Sequence, residues 1–272
     1  RDRAERCRDD GYEPVVIDIG GAEGDGILRA DLSDPAQTAR ALEQALRDGP
    51  ITRLVNNVGV VLPGPVEQQD LTTLDRAVAL NLRCALQCLQ ALLPGMKEAG
   101  FGRVVNVSSR AALGKEWRSA YAATKAGLIG MTRVWALELG PRGITANAVG
   151  PGPIRTALFD RANPPGSERT RAITENIPVR RMGRPEDVAQ AVSFLLDARS
   201  GFVTGQVLYV CGGMTVGVAG GGPRPPWAQN SCSTTGVLWA TSRAPKSSVT
   251  RRCRATSASR LSRARLPRSS AR

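Results

Sequence analysis

From residue 14 onward, short β-branched runs alternate with longer stretches in which apolar side chains recur every three or four positions. That alternation is the pattern of parallel strands joined by crossover helices. "PVVIDI" reads as a strand. In "DLSDPAQTARALEQALRDG", Ser33 or Asp34 caps a helix, Pro35 fits its first turn, Ala39, Leu42 and Leu46 share one side, and Gly49 stops it. "ITRLVNNVG" is the next strand and its turn. "TTLDRAVALNLRCALQCLQALLPGMKEAG" is a long helix with a threonine cap, which Pro94 should kink or end. Strand "GRVVNVSS", a helix bearing "SAYAATKAG", strand "GITANAVGPG", a loop region, helix "PEDVAQAVSFLLD" and strand "GQVLYVCGG" complete the series. The expected fold is α/β, a Rossmann-like doubly wound parallel sheet.

The pattern stops near Gly220. Residues 219–272 are rich in Arg, Ser, Pro and Thr, and "GVLWAT" is their one strand-like run. Such a segment buries too little apolar surface to offset its ordering entropy, so the expectation is a domain over residues 1–218 and a disordered basic tail over 219–272. The charge follows the same division. Of a net +13, residues 220–272 hold ten arginines and one lysine with no acid, which leaves +2 for the first 219 residues. A nucleic-acid or acidic-surface partner is therefore expected only through the tail.

Six cysteines, at 7, 84, 88, 211, 232 and 253, form no CxxC pair, and the chain has no histidine, so no metal site is expected. Buried free thiols suit a reducing compartment, and the expectation is a cytoplasmic protein with no membrane partner, since no run of about 18 apolar residues stands out.

A chain without histidine must find its proton donor elsewhere. Tyr121 and Lys125 stand four apart in "SAYAATKAG", so on a helix they point at one spot, and a cation beside a phenol lowers its pKa. Polar residues also gather at successive strand ends, where open α/β sheets bind ligands. Asp18 ends one strand, Asp31-Leu32 the next, Asn56-Asn57-Val58-Gly59 the following one, and Ser108-Ser109 the one after. An acid at the position of Asp18 accepts hydrogen bonds from an adenosine ribose and repels a 2′-phosphate.

The set "NNVG", "NL" at Asn81, "VNVSS", "YAATK", "NAVGPGPIRT" and "FVTGQVLYVCGG" resembles, in order and spacing, the classical short-chain dehydrogenase/reductase family. The resemblance covers residues 1 to about 218. It implies that Tyr121 transfers the proton, that Lys125 lowers its pKa and bonds the nicotinamide ribose, and that Asn81 holds the water of a proton relay. The serine on the substrate oxygen is Ser109 when counted along the strand, and Ser108 when counted back from Tyr121 by the commoner family spacing; Ser109 is preferred because strands keep register. On the cofactor side the resemblance assigns Asp31, Leu32, Asn57, Gly59, Pro151, Gly152, Ile154 and Thr156, with Asp18 implying NAD over NADP.

Two departures stand out. The family opens with a strand and a TGxxxGxG loop that receives the pyrophosphate. This chain begins at "RDRAERCRDDGYEP", inside what resembles the first helix, so that strand and loop are expected to be missing. In the family's strand order 3-2-1-4-5-6-7 the missing strand is an interior one. The tail is the second departure. An enzyme moving hydride to a small carbonyl or alcohol, similar to 3-oxoacyl-(acyl carrier protein) reductases, stands against two alternatives: a non-catalytic fragment with a nucleic-acid-binding tail, and a truncated or read-through product. The helices around Leu74 to Met96 and Tyr121 to Leu139 resemble the family's four-helix interface, which implies a homodimer or homotetramer.

Overall fold

The computed structural model describes residues 2–20 and 26–217, which lie in one compact unit, Arg1–Gly221. The tail expectations, including "GVLWAT", fall outside the described residues. The elements are α1 Asp2–Asp9, β1 Val16–Asp18, β2 Ile27–Arg29, α2 Pro35–Ala45, β3 Arg53–Asn56, α3 Leu71–Val78, α4 Cys84–Glu98, β4 Gly102–Val107, α5 Ser119–Leu139, β5 Ile144–Pro151, α6 Ala157–Ala162, α7 Glu168–Glu175, α8 Pro185–Leu196 and β6 Val207–Val210. The α/β alternation is as the pattern predicts.

Strands β3, β4, β5 and β6 form one parallel sheet in that order, with Val104 opposite Leu54 on β3 and opposite Ala146 on β5. Alternation along β4 and β5 feeds two cores on opposite faces. Val104, Ile144 and Ala146 pack with Leu89, Leu92 and Met96 of α4 and Leu128, Trp135 and Leu139 of α5. Val105 and Val149 pack with Val188, Val192, Leu195 and Leu196 of α8. Each fully buried Val or Leu contributes about 1.5–3 kcal/mol, and this two-sided burial holds the strand ends in place.

The single sheet expected from the sequence is instead two. β1 and β2 pair in parallel with each other, Asp18 opposite Arg29, and form a separate two-stranded sheet. The division falls between β1 and β3, where the strand order of the family that the sequence resembles has its first strand. β1 and β3 each ladder on one side only among the described residues.

One of the two caps left open for α2 is taken up, and three other local expectations are corrected. Asp34, not Ser33, caps α2, accepting from the amides of Ala36 and Gln37, and Asp70 rather than a threonine caps α3. β2 ends at Arg29, so Asp31 lies beyond the strand. Pro94 does not end its helix; α4 runs through it to Glu98, with Leu92 and Met96 buried on either side of the proline. The irregularity sits earlier, in a π turn over Ala79–Arg83 that joins α3 to α4 and contains Asn81.

The run Leu71–Glu98 is long and apolar enough, at mean hydropathy 1.3, to cross a membrane by length and composition. In the fold its Leu89, Leu92 and Met96 are core residues.

Candidate active site

The carboxyl end of β4 delivers Ser108 and Ser109, and the two serines do different work. Ser108 is buried and its hydroxyl donates to the Lys125 carbonyl at 2.8 Å, which spends it on holding α5 to the strand. Ser109 caps the 3₁₀ turn Arg110–Leu113, accepting from the Ala111 amide at 3.1 Å. Its hydroxyl also meets that of Tyr121. Of the two serines left open by counting, the structure puts Ser109 against the phenol.

Tyr121 and Lys125 lie on one face of α5 as their spacing requires, with the Lys125 ammonium 5.8 Å from the Tyr121 ring centre. Lys125 is 3% exposed, and its Nζ donates to the Val107 carbonyl at 2.8 Å. Burial holds the phenol above its ordinary value, opposed by the Ser109 hydrogen bond and then by the Arg118 charge. The ammonium lies toward the ring and the Val107 carbonyl.

Asn81 is 1% exposed. Its Oδ1 accepts from the Val60 amide at 2.8 Å, while Nδ2 donates to Thr124 Oγ1 at 2.9 Å and to the Val60 carbonyl at 3.2 Å. The side chain that the resemblance assigns to a water relay clamps the chain after β3. Gly59 sits in that clamp: a Cβ there would lie 3.0 Å from Asn81 Oδ1 and 3.1 Å from Lys125 Nζ. A buried string from Asn56 to Asn106 to Thr132, each bond 2.8 Å, fixes the end of β3 against β4 and α5.

The remaining residues divide. Asn57 is exposed at the end of β3. Gly152 follows β5, where a Cβ would come within 2.8 Å of Cys211, so only glycine lets the chain pass β6 this closely. Pro151 ends β5, Ile154 bridges to Gly183 and packs on the α8 core, and Thr156 caps α6 through the Phe159 amide. Asp18 ends β1 of the other sheet, and Asp31 follows its β2. Asp18 accepts from the Gly20 amide at 2.9 Å, and Asp31 from the amide and hydroxyl of Ser33 at 2.8 and 2.7 Å, which holds its pKa below the usual carboxylate range. Leu32 is buried, leaving its backbone for contact.

Sequence reasoning missed Thr124, Val60 and Arg29. Thr124 carried a signal, a small hydroxyl three residues after Tyr121 on the inward side of an apolar helix; the other two carried none. The thiols of Cys84 and Cys88 are pushed up by burial to about 11 and about 12, so they stay protonated and act as small core residues. No cluster that could hold a metal occurs among the described residues.

A nicotinamide dinucleotide fits part of this arrangement. The bare Gly59 beside Lys125, and the exposed Asp18 carboxylate, suit its nicotinamide and adenosine ends. Among the described residues no glycine-rich turn opens a helix to receive the pyrophosphate; Gly20 and Gly26 lie between β1 and β2.

Comparisons with known proteins agree with the geometry. A family model described as enoyl-(acyl carrier protein) reductase matches residues 3–215. A hydroxy(phenyl)methylsuccinyl-CoA dehydrogenase subunit, BbsD, of Thauera aromatica is 38% identical over 205 residues, 74% of this chain and 82% of that one. A 3-oxoacyl-(acyl-carrier-protein) reductase, FabG, of Thermotoga maritima is 36% identical, covering 68% and 75%. Among solved structures, a blue fluorescent protein from a metagenomic library in complex with NADPH shares 39% identity at a TM-score of 0.64, over 70% of this chain and 75% of that one.

Proposed function

Since the chain belongs to the short-chain dehydrogenase/reductase family, we propose that Ser109, Tyr121 and Lys125 interconvert a carbonyl and a secondary alcohol. Its class, an NAD(P)-dependent oxidoreductase, comes with the family. The observation that carries the residue roles is the pairing of the Ser109 and Tyr121 hydroxyls at the end of β4, one helical turn from a buried ammonium.

When bound, the dinucleotide supplies or accepts the hydride at the substrate carbon. Lys125, Gly59 and Asn57 would hold its nicotinamide end, Pro151, Gly152, Ile154 and Thr156 would close over it, and Asp18, Asp31 and Leu32 would hold the adenosine. In the reducing direction the Tyr121 hydroxyl gives its proton to the substrate oxygen as the carbonyl π bond becomes an O–H bond, and Ser109 donates a hydrogen bond to that oxygen as its charge grows. A phenol held above its ordinary pKa by burial keeps this proton at neutral pH, ready to donate.

We read the substrate as a 3-oxoacyl or hydroxyacyl thioester. BbsD and FabG, by their names, act on a CoA thioester and an acyl carrier protein. Lys115, between Ser109 and Tyr121, has Arg118, Arg110 and Arg169 as neighbouring charges that, after desolvation, lower its pKa, and this grouping of cations suits an anionic carrier. Asp18 supports NAD, whereas the metagenomic neighbour holds NADPH. Free thiols at Cys7, Cys84, Cys88 and Cys211 suit the cytoplasm, and self-association is part of the same reading.

Tyr121→Phe tests the mechanism. It removes the transferable proton and little else, so turnover should fall by about 10²–10⁴ with dinucleotide affinity nearly unchanged. The measurement is the change in NAD(P)H absorbance with a 3-oxoacyl thioester, and a variant that turns over normally rules the role out.

A further inference from the structure

Thr124 stands between Tyr121 and Lys125 on α5, 1% exposed. Its hydroxyl is 3.0 Å from the Tyr121 carbonyl and 2.9 Å from Asn81 Nδ2. A carbonyl only accepts, so the single Thr124 proton goes to Tyr121, and toward Asn81 the hydroxyl oxygen must accept. That fixes which way the Asn81 amide points. Nδ2 faces Thr124, and Oδ1 is left to receive the Val60 amide at 2.8 Å, while the second Nδ2 proton reaches the Val60 carbonyl at 3.2 Å. One hydroxyl thus joins the first turn of α5 to the chain that follows β3. The join bears directly on Gly59, whose absent Cβ would lie 3.0 Å from Asn81 Oδ1 and 3.1 Å from Lys125 Nζ.

We propose that Thr124 is a positioning residue: its hydroxyl locks the Asn81 amide and through it holds the Gly59–Val60 backbone against Lys125. This rests on the oxidoreductase reading, because the backbone so held is the wall on which the nicotinamide end would rest. A buried threonine that merely fills space would tolerate loss of the hydroxyl at constant shape. A threonine that sets an amide would not, since one Nδ2 proton would face a methyl group, buried and unpaired, and the amide would keep only its two bonds to Val60.

The test compares Thr124→Val, which keeps the shape, with Thr124→Ser, which keeps the hydroxyl, in the full chain. Hydrogen exchange of the Val60 amide should accelerate at least about tenfold in the valine variant and remain as in the parent for serine. In steady-state kinetics the valine variant should lose about tenfold in kcat, with KM for the carbonyl substrate changed less than about twofold, and serine should restore kcat. Should the valine variant fail to fold, Thr124→Ala against Thr124→Ser carries the same comparison. Equal Val60 exchange with and without the hydroxyl overturns the proposal. Tyr121→Phe, run alongside, separates the two readings: normal turnover there removes the oxidoreductase mechanism, while Val60 exchange still decides the hold exerted by Thr124.

Discussion

Asp18 and Arg29 are register partners at the ends of β1 and β2, and under the proposed dinucleotide site their charges would ask opposite things of one ribose. The exposed Asp18 carboxylate caps the Gly20 amide and favours a 2′-hydroxyl; the exposed Arg29 guanidinium, tied by Nε to the Ile19 carbonyl at 3.2 Å, offers a counter-charge to a 2′-phosphate. Between exposed groups such a charge is worth about 1 kcal/mol, which is about fivefold in a specificity ratio. Asp18→Ala should therefore move the ratio of kcat/KM for NAD over NADP about fivefold toward NADP, and Arg29→Ala should move it a similar distance the other way. Ratios unmoved in both variants would place the adenosine ribose elsewhere. The sequence pointed to Asp18 because strand-end acids are a local signal. Arg29 was invisible to it, since only the β1–β2 ladder makes the two residues neighbours.

The helices show the same limit at a larger scale. The αβ alternation and the proline inside the first turn of α2 were legible, because each rests on a few adjacent residues. The continuation of α4 through Pro94 was not. A proline in a helix interior costs about 3 kcal/mol, and what outweighs it is the burial of Leu89, Leu92 and Met96 against strands distant in sequence. The π turn at Asn81 was equally hidden, as nothing in "ALNLR" calls for a wider turn until Val60 and Thr124 are in place. Once these helices are packed, Leu74, Val78 and Leu86 remain 39% exposed on α3 and α4, and Val134 and Leu137 remain 49% and 79% exposed on α5. A second copy covering these faces would bury them in a helical interface. Sedimentation at micromolar concentration should then give a dimer or tetramer, and Leu137→Glu should shift it toward monomer. A parent chain that sediments as a monomer would contradict the interface.

At the scale of the molecule, the residues proposed for catalysis and those proposed for the cofactor stand on sheets of unequal strength. Ser109, Tyr121, Lys125 and Gly59 are held by a four-stranded sheet with a core on each face, whereas Asp18 and Asp31 follow two strands joined by three register pairs. A two-stranded sheet is marginal by itself, and a segment that buries little apolar surface opens locally at a low free-energy cost. Amides of β4 and β5 should consequently exchange at least about a hundredfold more slowly than those of β1 and β2. A dinucleotide must engage both halves, so its binding has to order the weaker one, at about 1–2 kcal/mol for each residue fixed. Each 1.4 kcal/mol is tenfold in affinity, and ordering even three residues moves a micromolar site toward millimolar. The chain of 272 residues should accordingly bind NAD or NADP with a dissociation constant above about 100 μM, and saturating dinucleotide should slow exchange in β1 and β2 while leaving β4 and β5 as they were. Calorimetric titration gives the constant and hydrogen exchange gives the site of ordering. Micromolar binding, with β1 and β2 already as protected as β4, would show that the two sheets act as one and that the division between β1 and β3 carries no energetic weight.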